Sequence, residues 1–330
     1  MSNFQCLRVA SDDLGMHKLQ ILSRPIAELV GGDTLIRAHY SSLNYKDALA
    51  VLGRGKILRS LPMTPGIDVS GEVVKSEDPR LPVGTHVLVT GCGLGETQDG
   101  GLAEYVRVPG DWVIPLPLGL SLREAMQLGT AGFTAALAIA RLELNGIDPQ
   151  RGPILVTGAS GGVGSLAIDV MSQIGYSVIA VSSRRELSDY LLGLGAKQVI
   201  APADLKLGDR PLEKARWAAA IDNVGGEMLA GLLRHIDLWG AVASVGLAGG
   251  SEFSATVMPF ILRGVSLLGV SSTNCPHILR TDLWKKLGTE WKPRHLAQIC
   301  HESVGLNEVE EVCERILNHQ HYGRTLVKLI

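Results

Sequence analysis

The stretch Thr157-Gly158-Ala159-Ser160-Gly161-Gly162-Val163-Gly164-Ser165 constrains the fold of this chain more than any other segment. An apolar run, Pro153 to Val156, precedes it. A helix-like segment, Val163 to Ile174, and a second strand-like run, Ser177 to Val181, follow it. Strand, glycine turn, helix and strand together describe a βαβ unit that binds a dinucleotide. Its glycines let backbone N–H groups approach a pyrophosphate at a positively polarised helix N-terminus. Ser160, Gly161, Gly162 and Val163 are the expected contacts. A glycine triplet alone would equally suit a surface turn, but the flanking runs have the period and length of the nucleotide-binding unit.

The residues after the second strand bear on which nucleotide is bound. An NAD-selective site places Asp or Glu there, about 20 residues after the glycines, to hold the ribose 2′-hydroxyl. Here the strand runs into Ser182-Ser183-Arg184-Arg185, and the first acid is Glu186. Two hydroxyls and a planar cation suit a 2′-phosphate, which a guanidinium can grip with two hydrogen bonds. Ser182 and Ser183 could also cap a following helix, Glu186 to Leu194, and the two roles are compatible. NADPH is the expected cofactor, with Ser182, Ser183 and Arg184 reading the phosphate.

A chain of 330 residues exceeds the commonest single-domain size, so two domains are expected. Its formal net charge of −2 gives no basic field for nucleic acid or anionic lipid. No apolar run is long enough to span a bilayer, and Met1 to Gln5 carry no charged and apolar leader pattern. The five cysteines, at 6, 92, 275, 300 and 313, never fall in C-x-x-C spacing. They fit a reduced, cytoplasmic protein with neither a disulfide framework nor a cysteine-built zinc site.

The first third reads as β-rich. Leu35–Ala38, Val69–Val74, His86–Thr90 and Ala103–Val108 are short runs separated by Pro and Gly turns. Helical periodicity appears after Ser121, which stands at capping-box spacing from Glu124. From 153 to 270 strand and helix alternate, with strands expected at 154–156, 178–181, 198–200, 218–221, 241–245 and 266–269. That alternation predicts a doubly wound parallel sheet, the Rossmann arrangement. Helices at 282–287 and 308–318 and a strand-like tail, Gly323 to Leu329, complete the chain.

Several fragments share one resemblance. Ser41-Ser42-Leu43-Asn44-Tyr45-Lys46-Asp47, Pro65-Gly66-Ile67-Asp68, Gly100-Gly101-Leu102-Ala103-Glu104, Gly129-Thr130-Ala131-Gly132-Phe133-Thr134-Ala135 and Gly323-Arg324-Thr325-Leu326-Val327 lie in one order. They resemble the zinc-independent, quinone oxidoreductase-like branch of the medium-chain dehydrogenase/reductase superfamily. Asn44 to Asp47, Gly246 to Gly250 and Met258 to Arg263 resemble its YhdH/AcuI group of NADPH-dependent acrylyl-CoA reductases. The resemblance implies an α/β protein with a GroES-like catalytic domain at 1–124, an NADPH-binding Rossmann domain at 125–271, and a return to the catalytic domain at 272–330. Zinc-dependent relatives carry Gly-His-Glu where this chain has Gly66-Ile67-Asp68, and the isolated Cys92, His86 and Asp68 form no recognisable ligand set, so no metal is expected.

The activity implied is hydride addition to the β-carbon of an α,β-unsaturated thioester. The charge that develops on the thioester oxygen needs a placed donor, and the α-carbon needs a proton. Tyr45 offers a hydroxyl donor and is expected at the cofactor or substrate, either in the chemistry or packed beside it. Asp47 is read as a helix cap. Arg54, Lys56 and Arg59 form a basic loop, either a coenzyme A contact or solvated surface. Strand ends of a doubly wound sheet aim their loops at the ligand, which brings in Asn223, Leu247 and Ser272. The resemblance adds Ile261 and Arg324, the latter at a phosphate or in an internal salt bridge. Cys275 and His277 are read as ordinary loop residues. A quinone or enone is the rival small-molecule substrate, and a non-catalytic NADPH-binding redox-responsive or structural protein is the rival of another class. The strand 266–270, apolar on both faces, is expected at a sheet edge and hence to pair in a homodimer.

Overall fold

A computed structural model describes residues 3–11 and 15–330, and the chain divides into two compact units. The first comprises Met1–Thr130, Thr273–Thr289 and Leu296–Ile330; the second comprises Ala131–Ser272 and Glu290–His295.

The first unit opens with an antiparallel pair, β1 (Asn3–Ser11) and β2 (His17–Pro25). There follow β3 (Thr34–Ser42), the short helix α1 (Tyr45–Val51), β4 (Asp68–Ser76), β5 (His86–Thr90), β6 (Tyr105–Val108) and β7 (Ile114–Pro115). β3 pairs antiparallel with both β4 and β6, and β4 continues to β5 and β5 to β7. Buried Ile36, Val69, Val73, Val87, Val89 and Val106 form the core of this sheet. α2 (Leu122–Leu144) then begins with a reciprocal cap: Ser121 N–H donates to Glu124 Oε2 at 2.9 Å, and Glu124 N–H donates to Ser121 Oγ at 3.2 Å. α2 kinks at Gly129, which adopts φ 52° and ψ −156°.

The second unit is built on a six-stranded parallel sheet. Its elements are β8 (Ile154–Val156), α3 (Gly162–Gln173), β9 (Val178–Val181), α4 (Ser188–Gly193), β10 (Gln198–Ile200), β11 (Trp217–Asp222), α5 (Gly226–Leu233), β12 (Ile236–Ser244), α6 (Met258–Arg263) and β13 (Ser266–Gly269). The strand order is β10-β9-β8-β11-β12-β13, so the chain winds outward from β8 and then back across it to β11. In such sheets the ligand crevice lies at the carboxyl ends of the two central strands, here β8 and β11. β13 occupies one edge.

The chain re-enters the first unit through α7 (His277–Gly288), α8 (Leu296–Ile299), β14 (Glu302–Val304), α9 (Val309–Leu317) and β15 (Thr325–Lys328). β15 adds antiparallel to β3, with Leu326 opposite Ser42, and β14 runs parallel beside it. The division falls after Thr130 rather than after 124, because Thr130 is tied to Asp68 by its N–H and hydroxyl. Residues 290–295 group with the second unit, where His295 N–H and Nδ1 engage the buried carboxylate of Asp169 at 2.8 and 2.9 Å. All five cysteines are free thiols, and among the described residues no helix is long and apolar enough to cross a membrane.

Candidate active site

In the second unit the glycine loop connects β8 to α3. Gly164 shows why a side chain is not tolerated in the first turn: a Cβ there would stand 2.5 Å from Gly158 O and 2.8 Å from Ala159 Cα. That closeness lets the helix pack directly on the strand end. No side chain caps α3, so the amides of its first turn, at Gly162 and Val163, stay available to an anion.

Arg184 reaches back from the end of β9 and donates from Nη2 to Ser160 Oγ at 2.9 Å, while its own N–H donates to Ser182 Oγ at 3.2 Å. The structure therefore brings Ser160, Ser182 and Arg184 into one cluster at the carboxyl ends of β8 and β9. Ser183 is exposed beside them. The segment after Ser183 forms a short 3₁₀ turn, Arg185–Leu187, before α4, rather than one continuous helix from 186.

At the end of β11, Thr157 Oγ1 donates to Asp222 Oδ1 at 2.6 Å, and the Gly225 N–H donates to Asp222 Oδ2 at 2.8 Å. Burial pushes the Asp222 carboxyl up, and these donors oppose it. Asn223 donates from Nδ2 to Thr157 O at 2.7 Å, which fixes its amide. Its Oδ1 is buried with no hydrogen-bond partner among the described residues. A buried acceptor without a donor costs free energy unless a ligand supplies one. Glycine loop, basic cluster and orphaned acceptor all fit a nucleotide. Leu247 and Ile261 are both exposed on this unit, Ile261 by 72%, and Ser272 is its last residue before the chain crosses back.

The first unit holds a buried polar network. Arg324, at the start of β15, is 2% exposed and its guanidinium is fully engaged. Nη1 donates to Leu43 O at 2.8 Å and Asn44 Oδ1 at 2.9 Å; Nη2 donates to Ser42 Oγ at 2.7 Å; Nε donates to Gln127 O at 3.3 Å. Ser42 Oγ in turn donates a hydrogen bond to Asp68 Oδ2 at 2.7 Å. Asp68 also accepts from Asn44 Nδ2 at 2.8 Å, from Thr130 N at 2.9 Å and from Thr130 Oγ1 at 2.6 Å. Of the two roles open to Arg324 in the sequence, the phosphate contact and the internal partner, the geometry gives the second, with Asp68 at 3.8 Å.

Asp47 closes the network. Its carboxylate accepts from Asn44 N–H and Nδ2, both at 2.9 Å, and from Ile67 N–H at 2.9 Å, so it caps α1 from the third position. Burial, with Asp68 close by, pushes its pKa up to about 7, against the pull of those donors. Asn44 thus has both amide hydrogens and its oxygen committed. Tyr45 follows it as the first residue of α1, 42% exposed, and its hydroxyl has no partner among the described residues. Cys275 is buried and His277 exposed at the start of α7, and they form no pair.

Ser42, Asn44, Asp47, Asp68, Gly129, Thr130 and Arg324 all belong to the fragments that carry the family resemblance, yet their convergence is invisible in sequence. Ser42, Asp68 and Thr130 are site residues that sequence reasoning passed over. No group of three or more His, Cys, Asp or Glu side chains comes together to hold a metal ion among the described residues.

A β-rich unit completed by the chain's C-terminal strand, joined to a parallel nucleotide-binding sheet, defines a two-domain dehydrogenase/reductase. Residues 31–118 match the alcohol dehydrogenase GroES-like domain and residues 162–288 match the zinc-binding dehydrogenase family. The acrylyl-CoA reductase AcuI of Ruegeria pomeroyi is 40% identical over 326 residues, 98% of each chain. The Salmonella enterica yhdH oxidoreductase, solved in complex with NADP, superposes with a TM-score of 0.95 at 47% identity, covering 99% of this chain and 100% of that one. Bacillus subtilis yhfP, solved with NAD bound, gives 0.96 at 45% identity over 100% of each. The chain belongs to the medium-chain dehydrogenase/reductase family, in its YhdH/AcuI group.

Proposed function

We propose that the protein is an NADPH-dependent reductase of the C=C bond of an α,β-unsaturated acyl-CoA, with acrylyl-CoA reduced to propionyl-CoA. The observation that carries the reading is the Tyr45 hydroxyl, unpartnered among the described residues and displayed at the first turn of a helix whose entry is locked by Asn44, Asp47, Asp68 and Arg324. A donor held without reorganisation is what a developing enolate requires. Bound NADPH supplies the hydride to the β-carbon. Tyr45 donates a hydrogen bond to the thioester oxygen as charge collects there, and the α-carbon takes one proton, which balances the two-electron reduction. Ser160, Gly161, Gly162 and Val163 hold the pyrophosphate, and Ser182, Ser183 and Arg184 hold the 2′-phosphate. Asn223 Oδ1 accepts from a donor of the ligand, with Leu247, Ile261 and Ser272 flanking it. Arg324 acts as a positioning residue rather than a cofactor contact.

The reading is zinc-independent. Ile67 is apolar and buried where a ligand would be needed, and Asp68 is already held by Ser42, Asn44 and Thr130. Five unpaired thiols suit a reducing, cytoplasmic compartment. The edge strand β13, with Leu267 exposed, suits pairing across a two-fold axis into a homodimer. Oxidation of NADPH by the purified protein, measured with acrylyl-CoA, crotonyl-CoA and a quinone in parallel, tests the function. A preference for the quinone over both thioesters would replace it with quinone or enone reduction, and no oxidation with any of them would favour a non-catalytic NADPH-binding protein.

A further inference from the structure

We propose that Lys56 and Arg59, in the loop that follows α1, dock the nucleotide phosphates of a coenzyme A thioester. The inference rests on the reading of the protein as an acyl-thioester reductase. Gly53 ends α1 at φ 64°, where a Cβ would stand 2.7 Å from His17 Nδ1, and the chain turns into Arg54-Gly55-Lys56-Ile57-Leu58-Arg59. Cations in this unit commonly have a carboxylate: Arg8 and Arg24 hold Asp99, Arg37 holds Glu72, and Lys46 holds Glu96. Within the loop Arg54 holds Glu314 at 2.5 Å. Lys56 and Arg59 are both exposed, and neither side chain has a partner among the described residues.

The loop is anchored, so its charges are displayed at a defined place. Arg54 N–H donates to Leu49 O at 3.0 Å, Arg59 N–H donates to Glu96 O at 2.8 Å, and Ile57 and Leu58 are half-buried. Glu96 in turn holds the ammonium of Lys46, the residue next to Tyr45, at 3.0 Å. Arg59 is thus fastened through Glu96 to the helix that carries the proposed donor, and Lys56 precedes it in the same loop. α1 spans seven residues, or roughly 10 Å at the helical rise, and the Arg59–Glu96–Lys46 contacts tie the loop back towards its first turn, where Tyr45 stands. A coenzyme A thioester separates its reacting carbonyl from its phosphates by a pantetheine arm longer than that. A thioester at Tyr45 can therefore place phosphates at this loop, whereas a quinone or a simple enone has nothing to put there. Arginine offers a planar fork and lysine a point charge, the usual pair for a phosphate cluster. Because both side chains are solvated, their effect falls on capture of the substrate and is screened by salt.

The test compares acrylyl-CoA with acrylyl-N-acetylcysteamine, which keeps the thioester and lacks the phosphates. The Lys56→Ala/Arg59→Ala double variant should raise KM for acrylyl-CoA about tenfold, with kcat and the KM for NADPH unchanged. It should leave kcat/KM for the truncated thioester as in the wild type. Added salt should raise the wild-type KM for acrylyl-CoA and scarcely move that of the variant. Equal losses with both thioesters, or no loss with either, overturn the docking role while the reductase reading stands. Failure of the wild type to reduce either thioester overturns both.

Discussion

Arg324 and Asn44 hold one another in a single orientation: the guanidinium donates from Nη1 to Asn44 Oδ1 at 2.9 Å, and the amide hydrogens of Asn44 go to Asp47 and Asp68. An amide group that could flip in isolation is fixed here by a donor on one side and two acids on the other. The consequence is that Tyr45, the next residue, leaves the network at a set angle. Removing the cation alone leaves Asp68 and Asp47 buried without it. Arg324→Met should therefore destabilise the protein by about 3–5 kcal/mol, the cost of an uncompensated buried charge. Urea unfolding followed by fluorescence measures it, and a loss below 1 kcal/mol would show that the hydroxyl and amide donors hold Asp68 without help.

Gly129 presses on the same network. A Cβ at this position would stand 2.5 Å from Asp68 Oδ2 and Ser42 Oγ and 2.6 Å from Arg324 Nη2, on a backbone with φ 52°. None of these atoms is the loose end of a solvated side chain. Gly129→Ala combines left-handed strain with displacement of a buried ion pair, and should cost about 2–4 kcal/mol. Equal unfolding midpoints for variant and wild type would contradict the tight packing at the kink.

The parallel sheet was legible because its signals are local: strands 154–156, 178–181, 198–200 and 266–269 coincide with β8, β9, β10 and β13. The capping box at Ser121 and Glu124 formed for the same reason. The β1–β2 pair escaped notice because β2 is largely exposed or half-buried and lacks a clean alternation of apolar residues. The Arg324 network escaped because its members are separated by up to 282 residues, and only tertiary pairing of β15 with β3 brings them together. Arg184 was legible as a cation after β9, yet its contact with Ser160 depends on how far the side chain reaches back across the strand ends.

That reach makes Arg184 the test of nucleotide choice. If its guanidinium, braced by Ser160, grips a 2′-phosphate, then Arg184→Ala should weaken NADPH binding by about 1.5–3 kcal/mol and leave NADH nearly unchanged. Ser160→Ala should show a smaller loss of the same kind, since it removes only the brace. Titration calorimetry with both nucleotides decides it: equal losses would make Arg184 a structural residue of the loop.

Two groups of the first unit, the half-buried His321 and the buried Asp47, titrate in opposite senses. Burial, with Arg324 nearby, depresses the His321 pKa to about 4. Thr325 Oγ1 donates to Glu302 at 2.7 Å, so His321 Nε2 must donate to that hydroxyl at 2.8 Å. The folded state binds fewer protons than the unfolded chain between about pH 4 and 6.5, so stability falls as pH drops through that window. Asp47, pushed up to about 7, works the other way, and its contribution is lost as pH rises from about 4 to 7. The destabilisation caused by His321→Gln should therefore be about 2 kcal/mol larger at pH 7 than at pH 4.5. That caused by Asp47→Asn should be larger at pH 4.5. Parallel urea titrations at the two pH values check both signs, and matching pH dependences for the two variants would refute the assignment.

Tyr45 carries the chemical prediction. Its hydroxyl has no partner among the described residues and its ring is half-exposed, so the Phe variant removes one donor while conserving ring volume and leaving Asn44 and the cap of α1 in place. If the hydroxyl stabilises the developing enolate or passes the proton, Tyr45→Phe should slow the chemical step by about 10²–10³. NADPH affinity should change little, because the nucleotide cluster at Ser160 and Arg184 is untouched. Single-turnover oxidation of NADPH with acrylyl-CoA separates the step from binding. Lys46→Ala serves as the control for disturbance of the loop, since it breaks the contact with Glu96 without touching the hydroxyl. A Phe variant within threefold of the wild type would reduce Tyr45 to a packing residue and leave the proton to water, while a large loss shared by Lys46→Ala would trace the effect to the anchoring of α1 instead.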